Sequence, residues 1–221
     1  MPDLSFQVEG AEAVPFAAAP LLALKLRIRN SPADQPIHSV ILRCQIQIDA
    51  PWRVYQPREE EGLRDLFGAR ERWNKTLKKV LWMNISQMVP GFAGSVVTDL
   101  QLPCSYDLNV AAAKYFHAVE SGEVPLSLLF SGTVFYAGED GALQVAQIPW
   151  SKEAAFRLPV RIWKEMIEMY FPNSGFLTLR RDVLDRFFRY KVARGLPTFE
   201  QAMESILPPE QPAPMPAGGD A

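Results

Sequence analysis

Few residues in this 221-residue chain have side chains suited to nucleophilic or metal chemistry. It contains two cysteines, Cys44 and Cys104, and two histidines, His38 and His117, and all four are isolated from one another in sequence. A zinc site needs several such ligands at short spacings, and a reactive thiol needs a basic neighbour that lowers its pKa. We therefore expect no metal site. Cys44 is expected to fill the core, with a reactive Cys104 as the less favoured alternative.

The motifs of phosphate and acyl-transfer chemistry are missing from the sequence. Neither G-x-x-x-x-G-K-S/T nor G-x-G-x-x-G occurs, and there is no G-x-S-x-G elbow. The carboxylates cluster in polar runs such as REEEG and AGED, where no apolar neighbour would raise a carboxyl pKa for acid catalysis. The prediction is a chain that is not an enzyme and takes no cofactor. The alternative is a site assembled from residues distant in sequence.

The clearest charge signal is the segment LRRDVLDRFFRYKVARG, residues 179–195. Its six cations exceed its two anions, Asp182 and Asp185, by four charges, and its apolar residues recur at helical spacing. Such a helix could bind an acidic protein or an anionic lipid surface. It could equally be a solvated amphipathic helix whose Phe187 and Phe188 pack on a sheet. The predicted partner-binding residues are Arg180, Arg181, Arg186, Arg189 and Lys191.

Five tryptophans stand near the ends of predicted elements and allow two interpretations. A tryptophan at the end of a strand commonly closes the rim of the core. An exposed tryptophan is instead a typical anchor for a protein partner. The set comprises Trp52, Trp73, Trp82, Trp150 and Trp163.

Charge and hydropathy argue against a nucleic-acid partner and against a membrane-spanning helix. The net charge of -2 and the pI of about 5.8 offer no basic field for a nucleic acid. No apolar run approaches the roughly 20 residues of a membrane-spanning helix. The opening MPDLSFQVEG is acidic and does not resemble a signal peptide. We expect a cytoplasmic protein with reduced thiols and no membrane span.

The first elements predicted along the chain are strands. LLALKLRIRN and IHSVILRCQIQID alternate apolar and polar residues, and the polar turn SPADQP between them predicts an antiparallel pair. PREEEGLRDLFG predicts one short helix. LKKVLWMNISQMV and SVVTDLQLP predict two further strands, and AAAKYFHAVESG predicts another helix.

The segment Pro125–Trp150 predicts a hairpin. Its first half, LSLLFSGTVFY, is apolar on both faces, so we expect the hairpin at the centre of a sandwich core. After this hairpin, apolar residues recur at helical spacing in VRIWKEMIEMYF and LRRDVLDRFFRYKVARG. Thr198 with Gln201 forms a capping box before FEQAMESIL. The predicted fold is mainly β (α+β), an antiparallel β-sandwich with short inserted helices and two to three C-terminal helices. One domain over 1–207 would precede a disordered Pro/Gly-rich tail over 208–221.

Long blocks of the chain resemble a family of bacterial proteins described as a domain of unknown function. They include "APWRVYQPREEEGLRDLFGARERWNKTLKKVLWMN", "AAAKYFHAVESGEVPLSLLFSGTVFY" and "YFPNSGFLTLRRDVLDRFFRYKVARGLPTFEQAM", and the resemblance runs from Phe6 to Leu207. It brings no catalytic residues with it. Genes of the family that the chain resembles often lie beside those of uptake nickel-iron hydrogenases, and this resemblance implies an accessory role in assembling or tethering a hydrogenase.

Three hypotheses follow, each with a structural expectation. The first is a non-enzymatic accessory or adaptor protein that binds a protein partner, which predicts an exposed patch of arginines and aromatic residues. The alternative is a small-molecule or lipid-binding β module, which predicts an internal apolar cavity of at least roughly 300 Å³. The third is an enzyme, which predicts a cleft with paired carboxylates.

Overall fold

The computed structural model describes residues 1–104, 110–138, 140–175, 177 and 179–208. Two compact units divide the chain, Met1–Ser174 and Gly175–Ala221. The single domain over 1–207 stays a prediction, because compactness alone does not establish which parts fold independently. The predicted disordered tail lies, apart from residue 208, outside the described residues.

The first unit is a sandwich of two antiparallel sheets, which confirms the predicted mainly β fold class. The smaller sheet has the order β1-β2-β5. The larger has the order β4-β3-β6, and β7 and β8 both pair with β6. The strands are β1 Asp3–Ala13, β2 Leu21–Ser31, β3 Ile37–Ile48, β4 Val80–Phe92, β5 Ser95–Pro103, β6 Glu123–Ala137, β7 Leu143–Ile148 and β8 Glu153–Pro159.

The alternation in β2 and β3 correctly predicts two strands with one buried face each, but the predicted pairing between them is wrong. β2 pairs with β1 and β5, whereas β3 pairs with β4 and β6. The turn after β2 therefore carries the chain from one sheet to the other. The buried Asn30 holds this turn, since its amide donates to the backbone carbonyls of Pro32 and Gln35, both at 3.0 Å. The two apolar faces meet across the core instead of lying side by side.

The hairpin predicted over Pro125–Trp150 is formed by β6 and β7, and its two strands differ in burial. β6 is central and buries Leu126, Leu128, Phe130 and Val134 in the core. β7 is an edge strand, and the outer face of the larger sheet is not covered along it. The expectation of burial on both faces is therefore wrong, because β7 is largely exposed and the outer face of β6 is only partly covered at Leu129 and Phe135.

Short helices close one end of the sandwich. The single helix predicted in PREEEGLRDLFG is two helices that adjoin at the fully buried Leu63. Their aromatic neighbours form a packed cluster in which Phe116 stacks on Trp163 at 5.1 Å. Trp73, Trp82 and Trp163 are buried at the rim of the core, whereas Trp52 and Trp150 are exposed. These helices are α1 Pro57–Gly62, α2 Arg64–Phe67, α3 Trp73–Thr76, α4 Val110–Ala118 and α5 Val160–Tyr170.

The second unit contains α6 Arg181–Ala193 and α7 Phe199–Glu204. The predicted capping start of α7 is confirmed, because the hydroxyl of Thr198 accepts a hydrogen bond from the backbone amide of Gln201 at 3.1 Å. Together with α5, these helices confirm the predicted C-terminal helical part. None of the helices in the described ranges is long and apolar enough to cross a membrane.

Candidate partner-binding surface

Helix α6 carries the predicted binding residues and exposes part of its apolar surface. None of its residues, all of which are described, is buried. Leu184, Phe188 and Val192 are between 43% and 59% exposed. Their spacing of four places them on one face of the helix. We call these three residues the α6 stripe.

A different face of α6 packs against α7. The ring of Phe187 lies 5.6 Å from that of Phe199 and stacks on Tyr190 at 6.4 Å. The hydroxyls of Tyr190 and Ser205 lie within hydrogen-bond distance, at 3.0 Å. This face holds most of the helix pair. Of the stripe, only Phe188 also reaches α7, with its ring 6.4 Å from that of Phe199.

Two of the five predicted binding residues are engaged within the second unit. Arg180 forms an ion pair with Asp182 at 3.0 Å. Lys191 donates to the backbone carbonyls of Leu196 and Pro197 at 3.4 and 3.2 Å. Its ammonium also lies over the rings of Phe188 and Phe199, at 5.8 and 5.6 Å from their centroids. Lys191 therefore stabilises the connection between α6 and α7.

The other three, Arg181, Arg186 and Arg189, are exposed and form no ion pair or hydrogen bond with any described residue. Arg181 stands three residues before Leu184, and Arg189 three residues before Val192, so both border the stripe. Arg186 lies about 160° around the helix from Phe188. The structure thus brings two of the predicted arginines to one apolar surface and directs the third away from it.

The sequence prediction named the charges of this segment and expected an exposed patch of arginines and aromatic residues, but it did not single out Leu184, Phe188 and Val192. Apolar residues at a spacing of four are typical of the buried face of an amphipathic helix. The signal that could have indicated exposure is that the apolar residues of α6 extend around the helix through Phe187 and Phe188, while α7 has only six residues to cover them.

The thiols and imidazoles of the first unit give no reactive site. Cys44 and Cys104 are buried, and burial raises the pKa of each thiol to about 12. Cys44 fills the core as predicted, and the alternative of a reactive Cys104 is not supported. His38 and His117 are exposed. No group of three or more histidines, cysteines or carboxylates among the described residues could hold a metal ion.

A buried ion pair joins the short helices to the start of β6. The Arg53 guanidinium donates to both carboxylate oxygens of Glu59, at 3.2 and 2.9 Å, and Glu59 is 1% exposed. The backbone amides of Gln56 and Glu120 donate to the same carboxylate at 3.0 and 2.8 Å. Burial acts to raise the pKa of Glu59, but these hydrogen bonds outweigh it and lower the pKa below its ordinary value. The pair is structural, because the carboxylate oxygens of Glu59 already accept hydrogen bonds from other parts of the fold.

The sequence profile of the Family of unknown function (DUF6084) matches residues 1–214. The chain belongs to DUF6084. The predicted membership of a family of unknown function is confirmed, and the DUF6084 match covers the first compact unit and extends into the second, including the whole of α6. No curated protein matches the chain.

Solved structures show only distant likeness to this DUF6084 chain. One is the solution structure of a candidate late embryogenesis abundant (LEA) protein, at 12% identity and a TM-score of 0.33, covering 72% of each chain. Another is the crystal structure of a candidate ApaA protein from Bordetella pertussis, at 17% identity and a TM-score of 0.25, covering 71% of this chain and 93% of that one.

A polar cluster at one end of the larger sheet unites three residues that no motif predicted. Lys79 forms an ion pair with Asp49 at 2.9 Å and donates to the hydroxyl of Ser127 at 3.2 Å, and Ser127 donates to Asp49. A serine nucleophile needs an unprotonated base beside it. Here the amine is the ion-pair partner of a carboxylate, so the cluster is typical of structural charge pairing.

One surface cleft of the DUF6084 fold has a volume of about 900 Å³. It is open to solvent, lies between α5 and the loop before β6, and is not enclosed between the sheets. Both cations that line it already have partners. Lys164 donates to the backbone carbonyl of Glu120 at 2.9 Å, and Arg161 pairs with Glu165 at 3.3 Å. The cleft is thus unlike the internal apolar cavity that a lipid-binding module requires.

Proposed function

We propose that this DUF6084 chain is a non-enzymatic accessory or adaptor protein that binds a protein partner through α6. The observation that carries the proposal is the α6 stripe, whose side chains are exposed beside Arg181 and Arg189. Aromatic and arginine side chains dominate the binding energy of protein interfaces. An apolar row that stays about half exposed is typical of a surface that another protein covers.

The chemistry of this surface favours a partner with an apolar groove and an acidic rim. Anchors at positions i, i+4 and i+8 of a helix fit a hydrophobic groove. The two arginines that border the stripe are free to pair with carboxylates at the edge of that groove.

Charge reversal on α6 tests the proposal with a matched control on the same helix. The tagged chain is used to capture partners from its native lysate, and each captured protein is then purified and its binding measured by calorimetry. Arg189→Glu and the double variant Leu184→Glu/Val192→Glu should weaken binding at least about tenfold. Arg186→Glu makes the same charge change on the side away from the stripe and should leave binding unchanged.

Circular dichroism checks that each variant keeps its helix content. Phe188 is not substituted in this series, because its ring contacts Phe199 and Lys191 and its loss would disturb the helix pair. Binding that survives Leu184→Glu/Val192→Glu, or that Arg186→Glu weakens as strongly as Arg189→Glu, would place the contact elsewhere.

The finer form of the proposal is a cytoplasmic bacterial protein whose partner is a nickel-iron uptake hydrogenase. Its support is the sequence resemblance described above. Co-expression with the hydrogenase subunits should yield a complex that purifies through a tag on this chain and is lost with Leu184→Glu/Val192→Glu. Capture of an unrelated protein by the same surface would retain the adaptor function and refute the hydrogenase as its partner.

A further inference from the structure

Strand β7 is an edge strand without the usual protection against pairing with another strand. Among the described strands it pairs with β6 alone. Its sequence, LQVAQI, contains no charged residue and no proline, and its register with β6 has no bulge. Exposed edges usually carry one of these devices, because their free backbone N–H and C=O groups are a template for a further strand.

The other described edge strands each carry such a device. β1 has a bulge between Val8 and Gly10 in addition to acidic residues. β4 contains Pro90 and a shift in its register with β3. β5 and β8 contain charged residues and end in proline. The unprotected edge is therefore specific to β7 among the strands that the structure describes.

An apolar surface adjoins this edge on the outer face of the larger sheet. Leu143 and Val145 are 62% and 56% exposed. The register places Val145 opposite Phe135 of β6. Farther across the same sheet, Ile41 of β3 lies opposite Met88 of β4, and both side chains are exposed. A free backbone edge and an apolar face thus meet at β7.

From this juxtaposition we propose that β7 is a self-association edge, which pairs antiparallel with β7 of a second copy of this chain. The two larger sheets then form one continuous sheet across a two-fold axis. The register centred on Val145 sets Val145 against its own copy and Leu143 against Gln147. All of these side chains lie on the outer face.

The absence of charge on β7 is what identifies a second copy as the occupant. In a two-fold antiparallel pair, side chains at the axis face their own copies, so any charge there would meet a like charge. LQVAQI brings none. A charged peptide would find no complementary charge on the strand. Two-fold pairing also uses the edge in both copies, so the assembly closes as a dimer.

The area of a six-residue edge is small, so the dimer should dissociate on dilution in the micromolar range. Sedimentation velocity over a series of concentrations tests this with the wild type and two variants. Val145→Lys places a charge at the proposed axis. Met88→Lys makes an equivalent change on the same outer face, but at the opposite edge of the sheet.

The proposal expects a concentration-dependent dimer for the wild type and for Met88→Lys, and a monomer at every concentration for Val145→Lys. Circular dichroism and thermal unfolding check that both variants keep the fold. A wild type that stays monomeric at the highest concentration, or a Val145→Lys variant that dimerises like the wild type, would overturn it. If both variants are monomeric, the copies pack face to face and the edge pairing is wrong.

Discussion

The buried ion pair of Arg53 and Glu59 allows a quantitative test of how the short helices are held to the sandwich. We consider Glu59→Gln, which keeps the size of the side chain and removes its charge. The glutamine amide group cannot accept the hydrogen bonds that the second carboxylate oxygen accepts, and Arg53 keeps its charge at a side-chain exposure of 10%. Breaking a buried pair by removing one partner typically costs 3–5 kcal/mol, about the scale expected here.

Arg53 donates to two further acceptors, which reduce the loss of stability. It donates to the backbone carbonyls of Glu123 and Ser121, at 3.1 and 2.6 Å, and both bonds survive the substitution. We therefore expect a decrease in the free energy of unfolding of about 3 kcal/mol, at the lower end of the range. Urea denaturation followed by tryptophan fluorescence measures it, with the slope against urea compared between variants.

The neighbouring Glu60 supplies the control. It pairs with Arg70 at 2.8 Å in a more exposed position, so Glu60→Gln should cost no more than about 1 kcal/mol. The double variant Arg53→Met/Glu59→Leu removes both charges and should regain part of the stability lost in Glu59→Gln. Equal costs for Glu59→Gln and Glu60→Gln would refute the structural role of the buried pair.

Three further predictions concern single positions. The pKa of Glu59 lies below its ordinary value of 4.5 in the folded protein, so its stabilisation is complete above about pH 4.5 and is lost as the pH falls through the folded value. Urea denaturation from neutral pH to about pH 3 should show this loss in the wild type and not in Glu59→Gln. Gly132→Ala should abolish folding, judged by soluble yield and circular dichroism, because the added Cβ would lie 2.0 Å from the backbone oxygen of Ile41. Cys44 and Cys104 should resist a thiol reagent in the native protein and react on unfolding, since both are buried with raised pKa values. Rapid labelling of either thiol under native conditions would contradict this.

The sequence predicts burial of a face better than it predicts the partner of a strand. The alternation through Leu22 and Ile28 correctly indicates a half-buried strand, because a period of two reflects which side chains meet the core. It contains no information on which strand donates the neighbouring backbone hydrogen bonds. The nearest strand in sequence was therefore the default for β2, and the crossing between the sheets went unpredicted.

Local sequence patterns also fail to predict which apolar faces stay exposed as candidate surfaces. Val145 on β7 and Leu184 on α6 are apolar residues at regular spacing, which is the pattern of a core face. Whether such a face is covered depends on how many other elements the fold can bring to it. The number of elements that cover a face depends on the whole topology, so the local sequence pattern cannot predict it.

The crossing between the sheets has a consequence for how the protein is made. In β2, Leu22 meets Leu102 of β5, and in β3, Ile48 meets Leu126 of β6. While the ribosome is still adding the middle of the chain, β1 and β2 lack both their third strand and the opposing layer. Contacts between distant residues form slowly, and unfinished sheets expose apolar surface. We therefore expect the nascent amino-terminal strands to expose apolar surface until β5 and β6 have been synthesised, and the sandwich to form late in synthesis.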